Sequence, residues 1–374
     1  MTRTLLIAGA SGVIGSAALE HFARQPGWRS IALSRRRPVV AADLPFTHLP
    51  VDLSDAEACR AALAAVPVPT HFIYAAGAEK EGLVEGWRDP ETIALNGRMF
   101  ANLIEPVAAT GHLRHVSLLQ GAKAYGAHVH AVPVPLREDG PRDPHPNFYW
   151  LHEDRLREAS ADHGFAFTIW RPQVLIGTAP GVAMNPVIPI GAYAAITRER
   201  GLPFAMPGSG NAIWELVDAG LLAEAMAWAA DAGSAACQTL NITNGDVFSL
   251  RDAWPEIAAL FGLAEQGTPP RSFADFFAQP ESIAAWSAIA SRHGLREPLL
   301  ERLLGQSHHY IDLLNGERIA GKAQPVLLST IKLRQAGFAG CRDSLSSLLA
   351  QLAAMTDLHL LPPLPNIHLP GASS

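Results

Sequence analysis

Cysteine is scarce in this 374-residue chain: Cys59, Cys237 and Cys341 are scattered and odd in number. That pattern excludes a disulfide framework and a cysteine-based metal site. The fifteen histidines show no HExxH or other ligand spacing, and the adjacent His308 and His309 cannot share one helix face. No metal is expected. No apolar stretch reaches the roughly 18–20 residues needed to span a bilayer, and the first apolar run is too short for a signal peptide. A cytoplasmic protein is expected. A strong excess of one charge is also lacking. The net charge of -6 gives no electrostatic reason to expect nucleic acid or an anionic membrane as a partner. Tyrosine and lysine are few, five and four, so candidates for proton-transfer chemistry form a short list. No tyrosine has a lysine four residues later; Tyr149 is followed at that offset by Glu153.

Glycine, by contrast, is placed with regularity. Gly9, Gly12 and Gly15 sit three residues apart, directly after the apolar run Leu5-Leu6-Ile7-Ala8. Strand, glycine turn, then helix is the arrangement that holds a dinucleotide pyrophosphate. Glycines let the backbone approach the phosphates, and the helix N-terminus offers free N–H groups and a positive dipole end. The spacing is GxxGxxG rather than the commoner GxGxxG, so a tight turn without ligand is the alternative. A second strand, Ser30–Leu33, runs into Ser34-Arg35-Arg36-Arg37-Pro38. An NAD site usually has an acidic residue there for the ribose 2′-hydroxyl; arginine accommodates a 2′-phosphate instead. The expected cofactor is NADP(H). Asp52, in Asp52-Leu53-Ser54-Asp55, stands at a strand end, where it could accept from an adenine amino group or cap the next helix. Ser54 or Asp55 suits the cap better.

The first ~175 residues alternate strand and helix, which implies an α/β fold, a Rossmann-type doubly wound parallel sheet. Expected strands are Thr4–Ala8, Ser30–Leu33, His48–Val51, His71–Ala75, Leu113–Leu119 and Ala166–Arg171. A helix around Ile93–Ala109 carries Asn96, and another begins near Asn147. From about Pro180 the pattern changes to longer helices with Pro/Gly breaks, and Thr239–Ile242 reads as a further strand. The expected division is a dinucleotide-binding domain over 1–180, completed by part of 210–250, then a smaller, mainly helical substrate-binding part over 181–360 and a Pro-rich tail over 361–374.

Lys123 lies just past the apolar strand that ends at Leu119, in Gln120-Gly121-Ala122-Lys123. Residues beyond the carboxyl ends of parallel strands face the ligand crevice, so Lys123 could sit near a nicotinamide ribose and Tyr149; the alternative is a surface lysine. Here the chain resembles the progesterone 5β-reductase/iridoid synthase-like enone reductases, an atypical branch of the extended short-chain dehydrogenases. The resemblance covers most of the chain. It rests on Gly9-Ala10-Ser11-Gly12-Val13-Ile14-Gly15, Ser34–Pro38, Asp52–Asp55 and above all Asn147-Phe148-Tyr149-Trp150-Leu151-His152-Glu153-Asp154, similar to the family's NFYYxxED. Trp170-Arg171-Pro172, Met184-Asn185, Tyr193–Ile196, Pro207-Gly208-Ser209 and Asn241–Phe248 add to it. The missing Tyr-x-x-x-Lys is itself shared with the family.

The resemblance implies NADPH-dependent 1,4-reduction of an activated C=C bond in a small hydrophobic enone or enal. It assigns catalysis to a tyrosine of the NFYY motif and to a lysine in TGxKHYxGP, which carry over to Tyr149 and Lys123. Two departures stand out: the lysine motif reads Gln120–Ala127 with several changed positions, and Trp150 replaces the second tyrosine. The cofactor site is expected to comprise Gly9, Ser11, Gly12, Val13, Ile14, Gly15, Ser34, Arg35, Arg36, Asp52, Leu53, Ala75, Ala76, Gln120, Lys123 and Tyr149. Trp150, Met184 and Tyr310 are expected substrate contacts, with ordinary core packing as the alternative for each. Carbonyl reduction, nucleotide-sugar epimerisation or dehydration on the same fold, and non-catalytic NADP sensing are the competing readings. A second copy of the chain is a candidate partner, as a homodimer.

Overall fold

A computed structural model describes residues 3–80, 82, 86–208, 212–315 and 325–365. The chain clusters into two compact units. One comprises Met1–Gln173, Val217–Gly245 and Val326–Cys341; the other comprises Val174–Leu216, Asp246–Pro325 and Arg342–Ser374.

Among the described residues of the first unit, seven strands form a parallel sheet. They are β1 Arg3–Ala8, β2 Trp28–Leu33, β3 Thr47–Leu49, β4 His71–Tyr74, β5 His115–Leu119, β6 Ala166–Pro172 and β7 Gln238–Ile242. Their order across the sheet is β7-β6-β5-β4-β1-β2-β3. Such strands are apolar on both faces because helices cover both, and β4 and β5 are buried throughout. β3 stops at Leu49, short of the expected Val51, because Pro50 has no N–H to donate to the ladder. The order reverses between β1 and β4, the switch point at whose carboxyl ends open α/β sheets bind their ligands.

Four helices of this unit position the site: α1 Val13–Ala23, α2 Ala56–Ala64, α3 Pro90–Ala108 and α4 Phe148–His163. Three begin with a side-chain cap. Asp55 accepts from the N–H groups of Glu57 and Ala58, Asp89 from Thr92, and Asn147 from Tyr149. Each such cap stabilises its helix by about 1 kcal/mol. Asp55 thus caps α2, while Asp52 accepts from the N–H and hydroxyl of Ser54 at 2.9 and 2.8 Å. Phe100, Leu103 and Ile104 of α3 and Leu156 of α4 pack with Phe72, Tyr74, Val116 and Leu118 of the sheet in one core. Truncating a fully buried ring such as Phe100 to alanine costs about 3–5 kcal/mol.

The second unit is mainly helical. The helix Val187–Arg200 is buried from Val187 through Thr197, and the helices Pro280–His293, Ser307–Leu314 and Ser344–Asp357 contact it. Tyr193, Phe204, Trp254, Phe273 and Phe276 form an aromatic cluster in which Phe204 and Trp254 stack at 4.7 Å. Ser209 of the Pro207-Gly208-Ser209 motif and residues 366–374 of the Pro-rich tail lie outside the described residues. No helix among the described residues is long and apolar enough to cross a membrane.

Candidate active site

The glycine turn closes tightly on the sheet. Gly9 has φ +79°, and a Cβ there would lie 2.6 Å from the Ala75 carbonyl oxygen. A Cβ on Gly15 would fall on the Gly9 carbonyl. Glycine permits both approaches, so α1 starts directly at the crevice. The N–H groups of Gly9 and Ala10 donate to the Leu33 carbonyl at 3.0 and 3.2 Å, which sets the end of β2 beside the turn. Gly12 caps α1 without a side-chain acceptor, unlike the caps of α2, α3 and α4. The first N–H groups, at Val13 and Ile14, therefore face no capping side chain, and Ser11 completes the turn. These residues fit a dinucleotide pyrophosphate.

Other expected cofactor residues follow the ends of β2, β3 and β4. Ser34 is buried and donates its hydroxyl to the Arg36 carbonyl at 2.7 Å, which folds the loop so that Arg35 and Arg36 stand exposed. Leu53 is buried behind the exposed Asp52. Hydrogen bonds from Ser54 hold the Asp52 carboxyl below the usual carboxylate range. Ala75 and Ala76 are half-buried at the end of β4. The loop after them is clamped by the buried Asn96, whose amide accepts from Ala78 N–H at 2.8 Å and donates to Ala78 O at 2.9 Å. Asn96 in turn accepts at its own carbonyl from His152 Nε2, 2.9 Å away. Burial holds His152 down to about 4.

Lys123 and Tyr149 meet at a residue that sequence reasoning missed. Lys123 lies on a single 3-10 turn, Ala122–Tyr125, after β5; Tyr149 lies in the first turn of α4 and is 7% exposed. The Lys123 Nζ sits 3.4 Å from the centre of the Trp87 ring, and the Tyr149 ring meets the same indole edge-on at 5.3 Å. A Cβ on Gly121 would lie 3.5 Å from the Tyr149 hydroxyl, so that hydroxyl stands beside the segment that carries Lys123. Burial lowers Lys123 to about 7, against the opposing pull of the Glu79 carboxylate. Trp87 belongs to the short turn Gly86–Arg88, where no motif or periodicity marks it. Tyr125 is engaged elsewhere: its hydroxyl donates to Asn241 Oδ1 at 2.6 Å, and the Arg171 guanidinium covers its ring.

Glu153 occupies the position where the usual dehydrogenase lysine would stand. Its carboxylate takes Arg157 at 2.9 Å, Arg142 at 3.2 Å and Arg171 at 3.8 Å. Burial pushes the carboxyl up, but Arg157 and Arg142 outweigh it and keep it ionised. Gln120 is buried between these groups: it donates to Glu153 at 3.2 Å and to the Tyr149 carbonyl at 3.4 Å, and accepts from Arg171 at 2.9 Å. Glu153 is thus an anchor for the floor under α4 rather than a proton donor.

Trp150 lies half-buried on the flank of α4, with its Nε1 donating to the His145 carbonyl at 3.3 Å and the Arg142 guanidinium over its ring. Met184 and Tyr310 belong to the second unit. There the Asn185 N–H donates to Ser307 Oγ at 3.2 Å, tying the Met184 segment to the helix that carries Tyr310. Burial raises the Tyr310 hydroxyl well above its usual range. Among the described residues, no group of three or more His, Cys, Asp or Glu could hold a metal ion.

Residues 5–243 match the NAD dependent epimerase/dehydratase family. Among solved structures, the fold is shared with the Bordetella bronchiseptica enzyme WbmG in complex with NAD and UDP, at TM-score 0.65 and 16% identity over 99% of this chain and 100% of that one. A Thermus thermophilus UDP-glucose 4-epimerase in complex with NAD matches at TM-score 0.62 and 20% identity, over 93% and 98%. Among relatives in sequence, an (S)-8-oxocitronellyl enol synthase of Antirrhinum majus is 29% identical over 96% of this chain and 92% of its own length. A 3-oxo-Delta(4,5)-steroid 5-beta-reductase of Arabidopsis thaliana is 29% identical over the same shares, 96% and 92%. With the pattern of Tyr149, Glu153 and Lys123 in place of Tyr-x-x-x-Lys, the chain belongs to the NAD dependent epimerase/dehydratase family, in its progesterone 5β-reductase/iridoid synthase-like branch.

Proposed function

We propose that the protein is an NADPH-dependent reductase of activated C=C bonds, acting on a small hydrophobic enone or enal. The observation that carries this reading is the meeting of Tyr149 and Lys123 at Trp87, in a chain whose relatives include a steroid 5-beta-reductase. A bound nicotinamide would supply hydride to the β-carbon of the substrate. Tyr149 donates its hydroxyl to the carbonyl oxygen as negative charge develops there. Lys123, when protonated, supports that charge from the neighbouring turn. One donor aimed at developing charge in a dry site contributes about 3–4 kcal/mol.

Arg35 and Arg36 favour NADPH over NADH in this reading, because both guanidinium groups stand exposed beside the glycine turn and suit a 2′-phosphate. The first unit holds the dinucleotide. Trp150, Met184 and Tyr310 are proposed as substrate contacts. A cytoplasmic location and a homodimeric assembly belong to the same proposal.

The experiment is NADPH oxidation followed with 2-cyclohexenone, an enal and a saturated ketone. Turnover of the enone or enal but not the ketone supports the reading. Turnover of the ketone makes the protein a carbonyl reductase, and NADPH binding without turnover of any of the three makes it a sensor.

A further inference from the structure

The loop that leads into α4 is pinned by side chains that no step of the proposed reaction uses. Asp143 Oδ1 lies 2.6 Å from His145 Nδ1, and its Oδ2 lies 2.6 Å from His130 Nε2. Burial pushes the Asp143 carboxyl up, but the hydrogen bonds from His145 and His130 outweigh it and hold it below the usual range. A carboxylate only accepts, so His145 Nδ1 carries hydrogen. The His145 side chain is 8% exposed, and its other nitrogen, Nε2, lies 3.0 Å from Asn147 Nδ2. An amide nitrogen only donates, so Nε2 is the acceptor in this contact.

Both polar atoms of the Asn147 side chain are engaged. One Nδ2 hydrogen goes to His145, the other to the Lys123 carbonyl at 3.3 Å, and Oδ1 accepts the Tyr149 N–H at 3.0 Å. Reversing the amide would set oxygen against the Lys123 carbonyl and NH₂ against the Tyr149 N–H, so the orientation is determined. A plain helix cap needs the acceptor alone, and serine would serve. The two donor contacts need asparagine.

We propose that Asp143, His145 and Asn147 form a positioning relay that fixes the turn carrying Lys123 against the first turn of α4 carrying Tyr149. Asp143 orients the ring, the ring orients the amide, and the amide joins the two backbones. None of the three touches substrate. The inference rests on the proposed catalytic roles of Tyr149 and Lys123.

The test uses full-length enzyme and the variants Asn147→Ser, His145→Phe and His145→Gln. Asn147→Ser keeps the helix cap and removes both donor contacts. His145→Gln places an amide oxygen near the position of Nε2 and serves as the conservative rescue. Two quantities are read: kcat and KM with NADPH and 2-cyclohexenone, and the NMR signal of the Lys123 ε-methylene in lysine-labelled protein without cofactor. The ring current of Trp87, which lies against the Lys123 ammonium, should shift that signal upfield. Asn147→Ser and His145→Phe should lower kcat about tenfold, leave the KM for NADPH within about twofold, and move the Lys123 signal toward the other lysines. His145→Gln should keep both readouts near wild type. An unchanged kcat in Asn147→Ser, with wild type active, overturns the relay, and that variant decides alone if His145→Phe fails to fold. If wild type reduces no enone, the proposed reaction fails separately. The Lys123 signal then decides: displaced in Asn147→Ser it supports the relay, unmoved it overturns it.

Discussion

The ammonium of Lys123 lies 3.4 Å from the centre of the Trp87 ring, well inside the roughly 6 Å reach of a cation–aromatic contact. A desolvated contact of this kind contributes about 2 kcal/mol, whereas an exposed one contributes less than half of that. Burial has an opposite effect on the charge, drawing Lys123 down to about 7 even with Glu79 nearby. The lysine is therefore poised to change charge near neutrality.

A pH dependence follows, with a definite sign. Lys123 loses its proton as pH rises through about 7. Charged, it supports the developing enolate; neutral, it does not. The kcat/KM for enone reduction, which reports the free enzyme, should fall on the alkaline side of an inflection near that value. Lys123→Arg should abolish the inflection, because guanidinium stays charged. A flat wild-type profile from about pH 6 to about pH 9 would contradict the assignment.

Cofactor choice should depend on Arg35 and Arg36. Replacing both with alanine removes two charge-assisted contacts to a 2′-phosphate, each roughly 1.5–3 kcal/mol. The KM for NADPH should rise at least about tenfold more than the KM for NADH. Equal effects on both cofactors, measured by steady-state titration, would remove these arginines from the 2′-phosphate site.

Acid should destabilise the fold before carboxylates titrate. Burial holds His152 at about 4 and His115 at about 3, below the ordinary histidine value of about 6.5. As pH falls below about 6.5, the unfolded chain takes up protons that these two folded side chains refuse. Stability should then be lost progressively down to about pH 4, on the order of 3 kcal/mol for His152 alone. Urea unfolding at neutral and mildly acidic pH measures this. His152→Gln should flatten the dependence; an unaltered slope in that variant would mean His152 does not contribute.

Much of the first unit could be read locally. Periodicity and caps act over a few residues, so the glycine turn and the Asn147 start of α4 are visible in the sequence, whereas β3 ends two residues before the expected Val51. Asp52 was open between two roles, and the structure shows Asp55 capping α2 while Asp52 binds Ser54. What could not be read depends on contacts far apart in sequence. Glu153 stands plainly four residues after Tyr149 and Arg157 one turn further along α4, but the other two arginines that reach it, Arg142 and Arg171, come from the loop before α4 and from β6. Trp87 has no local pattern that points to Lys123. The segment Val326–Cys341 belongs to the first unit through contacts such as Lys332 Nζ to the Thr239 carbonyl at 3.0 Å, which no sequence period announces.

The central claim is that the Tyr149 hydroxyl stabilises the developing oxyanion. Tyr149→Phe removes one oxygen and keeps the ring against Trp87, so NADPH binding and folding should survive. Its kcat for enone reduction should fall by about 10²-fold or more. Lys123→Ala should also slow turnover, and the double variant should lose less than the product of the two singles, since the pair acts as one unit. Tyr125→Phe is the control, because Tyr125 shares a turn with Lys123 but gives its hydroxyl to Asn241. The direct measurement is single-turnover NADPH oxidation by Tyr149→Phe and Tyr125→Phe side by side. A large loss in Tyr149→Phe with near-normal turnover in Tyr125→Phe is the predicted result; intact turnover in Tyr149→Phe with its loss in Tyr125→Phe would contradict the account.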